Sequence, residues 1–222
     1  MNKILIMIAI LFFNSTIYAQ TFSRKYNEAE NRINWPKEFD PKISDFYVHN
    51  EIEINATPDQ VWQLLIQAKD WISWYDGIQN IRFEDSIQVQ LAKNTKVFWN
   101  SMGQSLNNTV VEFEPNKTLS WQFNEAKIQG YHAWVIIPTA NGCRVITDES
   151  QTGKLAKLQK IFIPKKLMKQ HDNWLKLLKM EAEKSSSSLG FYLSDTEEGF
   201  MVTFLNKSYD NLISAVHELT AE

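Results

Sequence analysis

Three side chains able to move protons near neutral pH lie far apart in this sequence: His132, Glu149 and His171. An imidazole titrates close to physiological pH, and a carboxylate beside it forms an acid–base unit. Glu149 shares period-two parity with Val145 and Thr147, which turns it inward if Cys143 to Gln151 is a strand. His171 falls one turn before Trp174 on the apolar side of a lysine-rich helical stretch. The face of His132 stays open, because Tyr131, Ala133, Val135 and Ile137 compete with His132, Trp134 and Ile136. A His132–Glu149 or His171–Glu149 pair is the candidate catalytic unit. Read structurally, the same pair is a buried hydrogen bond that fixes strand register.

Other chemistries find no local pattern. His49, His132, His171 and His217 show no metal-ligand spacing, and Cys143 is the only cysteine, so neither a thiolate metal site nor an intrachain disulfide is expected. There is no Gly-x-Gly-x-x-Gly run, Walker loop or Gly-x-Ser-x-Gly elbow. The expectation is therefore no metal and no cofactor. A net charge of -3 argues against a nucleic-acid partner, which needs a concentrated basic surface. Thirteen Phe and eight Trp can fill a core or line a cavity.

The elements that must position these groups follow from periodicity. Phe46 to Ile54 alternates, with Tyr47, His49, Glu51 and Glu53 assigned to the solvent side. Thr57 reads as an N-cap with Pro58 at the first helical position, and a second short helix covers Trp71 to Tyr75. Strands are expected at residues 78–84, 95–101, 105–113, 119–123, 129–137 and 143–151, with a hairpin turn over Thr139 to Gly142. Arg144 and Asp148 share the parity opposite to Glu149 and read as solvent-side neighbours. Residues 154–184 are helical, interrupted at Pro164, with Leu167, His171, Trp174, Leu175, Leu178 and Ala182 on one side. Lys165, Lys169, Lys176 and Lys179 lie largely on the other, a solvated face that also suits transient contact with a membrane surface.

The ends read differently. Residues 1–19 combine a basic start, ten uncharged apolar residues and a small residue at Ala19, the pattern of a secretory signal peptide cut near that position. The expectation is an exported protein, periplasmic or extracellular. Residues 20–43 form an extended arm, residues 44–184 the main domain, and residues 185–222 a serine linker and an extension with a possible helix at Tyr209 to Leu219.

Five strings resemble the SRPBCC, or START-like, superfamily of polyketide cyclases and lipid-transfer proteins. They are Asn55-Ala-Thr-Pro-Asp-Gln-Val-Trp62, Trp71-Ile-Ser-Trp-Tyr75, Tyr131-His-Ala-Trp134, Gly142-Cys-Arg-Val-Ile-Thr147 and His171-Asp-Asn-Trp-Leu175. The resemblance implies an α+β helix-grip fold. A curved antiparallel sheet of six to seven strands wraps a long C-terminal helix, with a cavity between them. It places Trp74 and Tyr75 at the cavity mouth as a possible lid. It also makes Tyr75, Trp99, Trp121, Phe123, Trp134, His171, Trp174 and Leu178 candidate ligand contacts. The function it implies is binding or carriage of an apolar small molecule. The alternatives are a cyclase- or dehydratase-like enzyme using the His/Glu groups, and an interaction module acting through the C-terminal extension.

Overall fold

The computed structural model describes residues 22–23, 26–28, 31–187, 192–194 and 201–203. Among the described residues there are ten strands: β1 (Phe22–Ser23), β2 (Phe46–Ile54), β3 (Ile78–Phe83), β4 (Lys96–Ser101), β5 (Gln104–Glu114), β6 (Thr118–Glu125), β7 (Ile128–Thr139), β8 (Gly142–Thr152), β9 (Tyr192–Ser194) and β10 (Met201–Thr203). The first eight form one antiparallel sheet in the order β1-β2-β8-β7-β6-β5-β4-β3. β9 and β10 pair with each other in a separate two-stranded sheet. The signal-peptide reading of residues 1–19 and the helix expected at 209–219 lie outside the described residues.

The described residues also form three α-helices: α1 (Pro58–Ile66), α2 (Lys154–Phe162) and α3 (Pro164–Ser187). α1 begins where Thr57 and Gln60 cap one another reciprocally, satisfying backbone N–H groups that the first turn leaves unpaired. The second short helix is a 3-10 turn over Ala68–Ser73. Pro164 separates α2 from α3, as its missing N–H requires. α3 continues through Ser187, so the serines read as a linker begin as helix.

The inner face of the sheet packs on α1 and α3 through Ile52, Val97, Val110, Leu119, Trp134 and Val145. The outer face is also covered. Ile33 and Phe39 of the N-terminal arm sit on Tyr131, Ala133, Val135 and Ile146, and Lys37–Phe39 is a 3-10 turn where a plain extended arm was expected. Three solvent-side assignments are corrected here. His49 and Glu51 are buried, and so is Asp148, which accepts a hydrogen bond from Tyr47 Oη at 2.7 Å and lies 2.7 Å from His49 Nδ1. Tyr47 is itself edge-on to the rings of Tyr26 and Trp35. Period two marked two faces, and the arm made both of them interior. A second departure lies in β5, where a bulge between Val110 and Glu112 lets Val110 and Phe113 both face the main core. Val111 packs instead with the arm cluster.

Candidate functional site

The hairpin joining β7 to β8 has two loop residues, Ala140 and Asn141, which sets the register of the whole ladder. Counting seven residues back from Thr139 and seven on from Gly142 puts His132 directly opposite Glu149. Both face α3, where His171 comes down from the third turn of the helix. His132 Nδ1 is 2.9 Å from Glu149 Oε2, and His171 Nε2 is 3.3 Å from the same oxygen. The outer atoms of two of these groups are tied off. Thr147 Oγ1 lies 2.7 Å from His132 Nε2, and Gln151 Nε2 donates to Glu149 Oε1 at 2.5 Å. The structure thus joins the two sequence pairs into one unit, with every member at least 94% buried.

Burial alone would raise the Glu149 carboxyl, but the hydrogen bonds from His132 and His171 outweigh it and hold the group well below the usual carboxylate range. Burial pushes the His132 imidazole down, aided by His171 and opposed by Glu149. In the neutral tautomer that fits these contacts, His132 donates Nδ1–H to Glu149 and accepts at Nε2 from the Thr147 hydroxyl. His171 donates Nε2–H to the same carboxylate oxygen. Its Nδ1 is buried and without a hydrogen-bond partner among the described residues.

This unit forms part of the wall of a partly open cavity of about 40 Å³ whose lining includes Trp99, Trp121, Phe123, Ile128, Leu167 and Trp174. No lysine or arginine is among the lining residues. At ~10–15 Å³ for a single water this volume holds on the order of three, so the aromatic side chains fill most of the space between sheet and helix. An open cleft of about 470 Å³ lies outside, between α3 and the β4–β5 turn, and shares Ser101, Met102, Gln104 and Gln170 with the cavity wall. Gln170 Nε2 donates to Gly77 O at 3.1 Å and to Ser101 Oγ at 2.8 Å, tying α3 across this passage.

Of the expected ligand contacts, Trp99, Trp121, Phe123, His171 and Trp174 line the cavity. Tyr75, Trp134 and Leu178 do not. Tyr75 is 1% exposed and stacks on Trp174 with ring centroids 4.4 Å apart, so it is a core residue and no lid. Trp134 meets Trp174 edge-on from behind, and Leu178 is buried a turn further along α3. Sequence reasoning missed Gln151, Gln159 and Gln170, polar groups at the cavity wall; Gln151 carried a usable signal, sharing strand parity with Glu149.

An antiparallel sheet gripping a C-terminal helix, with a cavity between them and short helices after the first long strand, is the helix-grip architecture. The chain belongs to the family described as polyketide cyclase / dehydrase and lipid transport, which matches residues 46–170. A solved structure of a hypothetical protein from Helicobacter pylori is 30% identical, with a TM-score of 0.64 over 68% of this chain and 96% of that one. The di-domain ARO/CYC StfQ from the steffimycin biosynthetic pathway shares the fold at 12% identity and a TM-score of 0.52, covering 64% of this chain and 53% of that one. Norcoclaurine synthase from Thalictrum flavum, solved in complex with dopamine and hydroxybenzaldehyde, shares it at 14% identity and a TM-score of 0.50, covering 64% and 88%. No curated protein matches the chain. Family and fold together support a ligand-binding role.

Proposed function

We propose that the chain binds a small molecule with a flat apolar body and one hydrogen-bonding group, taken up through the cleft between α3 and the β4–β5 turn. The observation that carries this reading is a buried carboxylate, held by two imidazoles, in the wall of an aromatic cavity. Trp99, Trp121 and Trp174 offer ring faces and edges to the body, and the His132–Glu149–His171 unit offers hydrogen bonds to the polar group. A cavity of about 40 Å³ favours a compact molecule over a long acyl chain and requires the Met102–Gln170 side of the wall to move on uptake. Norcoclaurine synthase, which shares the fold, was solved with two compact aromatic molecules, dopamine and hydroxybenzaldehyde.

The test uses 2-naphthol as probe, with tryptophan fluorescence as readout, and native mass spectrometry of protein purified from its host. Saturable quenching that weakens in His171→Ala, or a copurifying aromatic molecule, supports the reading. No bound molecule together with no saturable binding would overturn it. Export is part of the proposal, supported by the pattern of residues 1–19. A mature N-terminus near Gln20 after secretion would bear it out, and an intact Met1 in the host would remove it.

A second reading is favoured by one feature, the free Nδ1 of His171. With its Nε2–H on Glu149, the ring can accept a proton at Nδ1 while the carboxylate stabilises the resulting imidazolium, the arrangement a general base needs. Turnover of a cyclisable or dehydratable substrate that is lost in Glu149→Gln while binding persists would establish this reading.

A further inference from the structure

We propose that His132 Nδ1, Glu149 Oε2 and His171 Nε2 form a binding site for a divalent transition-metal ion, in the wall of the cavity that could supply its remaining ligands. The inference deepens the ligand-binding reading above and rests on it only for what would occupy the open positions. Three observations carry it. The three atoms belong to three different residue side chains and lie within 4.8 Å of one another, all buried. Two of the spacings, 2.9 and 3.3 Å, are near the ~3.4 Å that separates ligands around a tetrahedral ion at ~2.0–2.1 Å; the two imidazole nitrogens lie within 4.8 Å, and seating the ion requires both inward N–H protons to leave and the rings to adjust around it.

The second observation is the outer support. A metal-bound histidine gives its other nitrogen to a hydrogen-bonding partner, and a metal-bound carboxylate has its other oxygen held. Thr147 stands at His132 Nε2, and Gln151 donates to Glu149 Oε1. Each leaves the inward atom pointing at the shared centre, whereas the outer Nδ1 of His171 has no such partner among the described residues. The third is charge. The buried carboxylate has two imidazoles beside it and no lysine or arginine among the residues lining this cavity, so its charge has no permanent cation in the wall. Two imidazoles and one carboxylate suit zinc-, cobalt- or ferrous-class ions over magnesium or calcium, which prefer all-oxygen shells. The ligands come from β7, β8 and α3, so chain spacing carries no trace of the set, and the absence of a spacing motif has no bearing on it.

Untagged full chain, stripped with EDTA, would be titrated with ZnCl₂ by calorimetry and with CoCl₂ by visible absorption. The expected result is one equivalent of each, with an intense cobalt ligand-field spectrum of low coordination number. Glu149→Gln and His171→Ala should each lower zinc affinity at least 100-fold, and Thr147→Val and Gln151→Ala by ~10–100-fold. The proposal is overturned if the wild-type chain takes up no zinc or cobalt. It is equally overturned if affinity is unchanged in those variants while circular dichroism shows them folded. Should Glu149→Gln fail to fold, Thr147→Val alone decides, since it removes only the support. Binding of 2-naphthol to the EDTA-stripped chain scores the pocket separately, so failure of the metal site leaves that result legible.

Discussion

Replacing Trp174 by alanine should convert the small cavity into a large one, at a stability cost set by the rings around it. Trp174 is 3% exposed, stacks on Tyr75 at 4.4 Å and meets Trp71 and Trp134 edge-on, each at 5.1 Å. A buried Trp→Ala change costs ~3–5 kcal/mol, and ring pairs worth ~0.5–1.5 kcal/mol each place this one at the upper end. If roughly 100 Å³ stays open, ~24 cal/mol per Å³ assigns about 2.4 kcal/mol of that cost to the void alone. The remainder is lost transfer energy and ring contact. For a domain of this size the melting temperature should fall by ~8–16 °C at about 4 kcal/mol. Urea unfolding followed by far-ultraviolet circular dichroism measures the loss, and added indole tests its cause. Indole at ten times its dissociation constant for the enlarged cavity should restore about 1.4 kcal/mol in Trp174→Ala, well above what the same indole concentration adds to the wild type. A loss below ~1.5 kcal/mol, or a loss indifferent to indole, would show that Trp174 is not the central prop of the aromatic cluster.

Gly130 carries no side chain because a Cβ there would lie 2.3 Å from Cζ of Phe123. Gly130→Ala should therefore cost ~1–3 kcal/mol through overpacking, and Phe123→Leu in the same chain should recover part of it in a urea double-mutant cycle. Burial raises the Cys143 thiol to about 11, so the native protein at pH 8 should resist a disulfide reagent and react only on unfolding, and prompt labelling would contradict the buried position. In EDTA-stripped protein, His132 and Glu149 both have folded values below their unfolded ones. The unfolded chain then binds more protons on acidification, so their stabilisation is complete above pH ~6.5 and is lost downward, first through His132 and below ~4.3 through Glu149. A urea midpoint that rises between pH 7 and pH 5 would reverse the sign and sink the argument. Gln170→Ala should leave the unfolding free energy within ~1–2 kcal/mol of wild type and raise the association rate of 2-naphthol by up to about thirtyfold in stopped-flow fluorescence; an unchanged rate would remove Gln170 from the passage.

The sequence made the shell readable wherever one rule acted alone. The Thr57–Pro58 cap, the stop at Pro164 and the alternation of β2 each answer to local chemistry, and each element stands where those signals put it. The outer face was not readable, because Ile33 and Phe39 reach β7 and β8 from about a hundred residues away and no periodicity reports such a cover. That cover is why Asp148 and His49 became interior. The site fell between these cases. Glu149 pointed inward by parity, yet His132 could not be assigned by hydrophobicity when both faces of β7 are apolar. The hairpin resolves it, because a two-residue loop from Thr139 to Gly142 fixes His132 opposite Glu149 by counting alone. His171 was placed on the correct side of its helix, but only tertiary packing could bring it to the same oxygen. The filling of the pocket was the least legible feature, since thirteen Phe and eight Trp line a cavity or occupy it with equal ease.

The amide of Gln170 has a kinetic consequence. Its two hydrogen bonds, to Gly77 O and Ser101 Oγ, bridge α3, β4 and the turn before β3 at the passage into the cavity. At a net ~0.5–1.5 kcal/mol each, breaking both sets the unlatched state about 2 kcal/mol above the closed one, or about 3% of molecules at any moment. Capture by molecules waiting in that state would run about thirtyfold slower than diffusion into an open site. Escape would wait on the same latch. A weakly held molecule would then stay far longer than its contacts alone dictate, and residence time, more than affinity, would be what this fold controls.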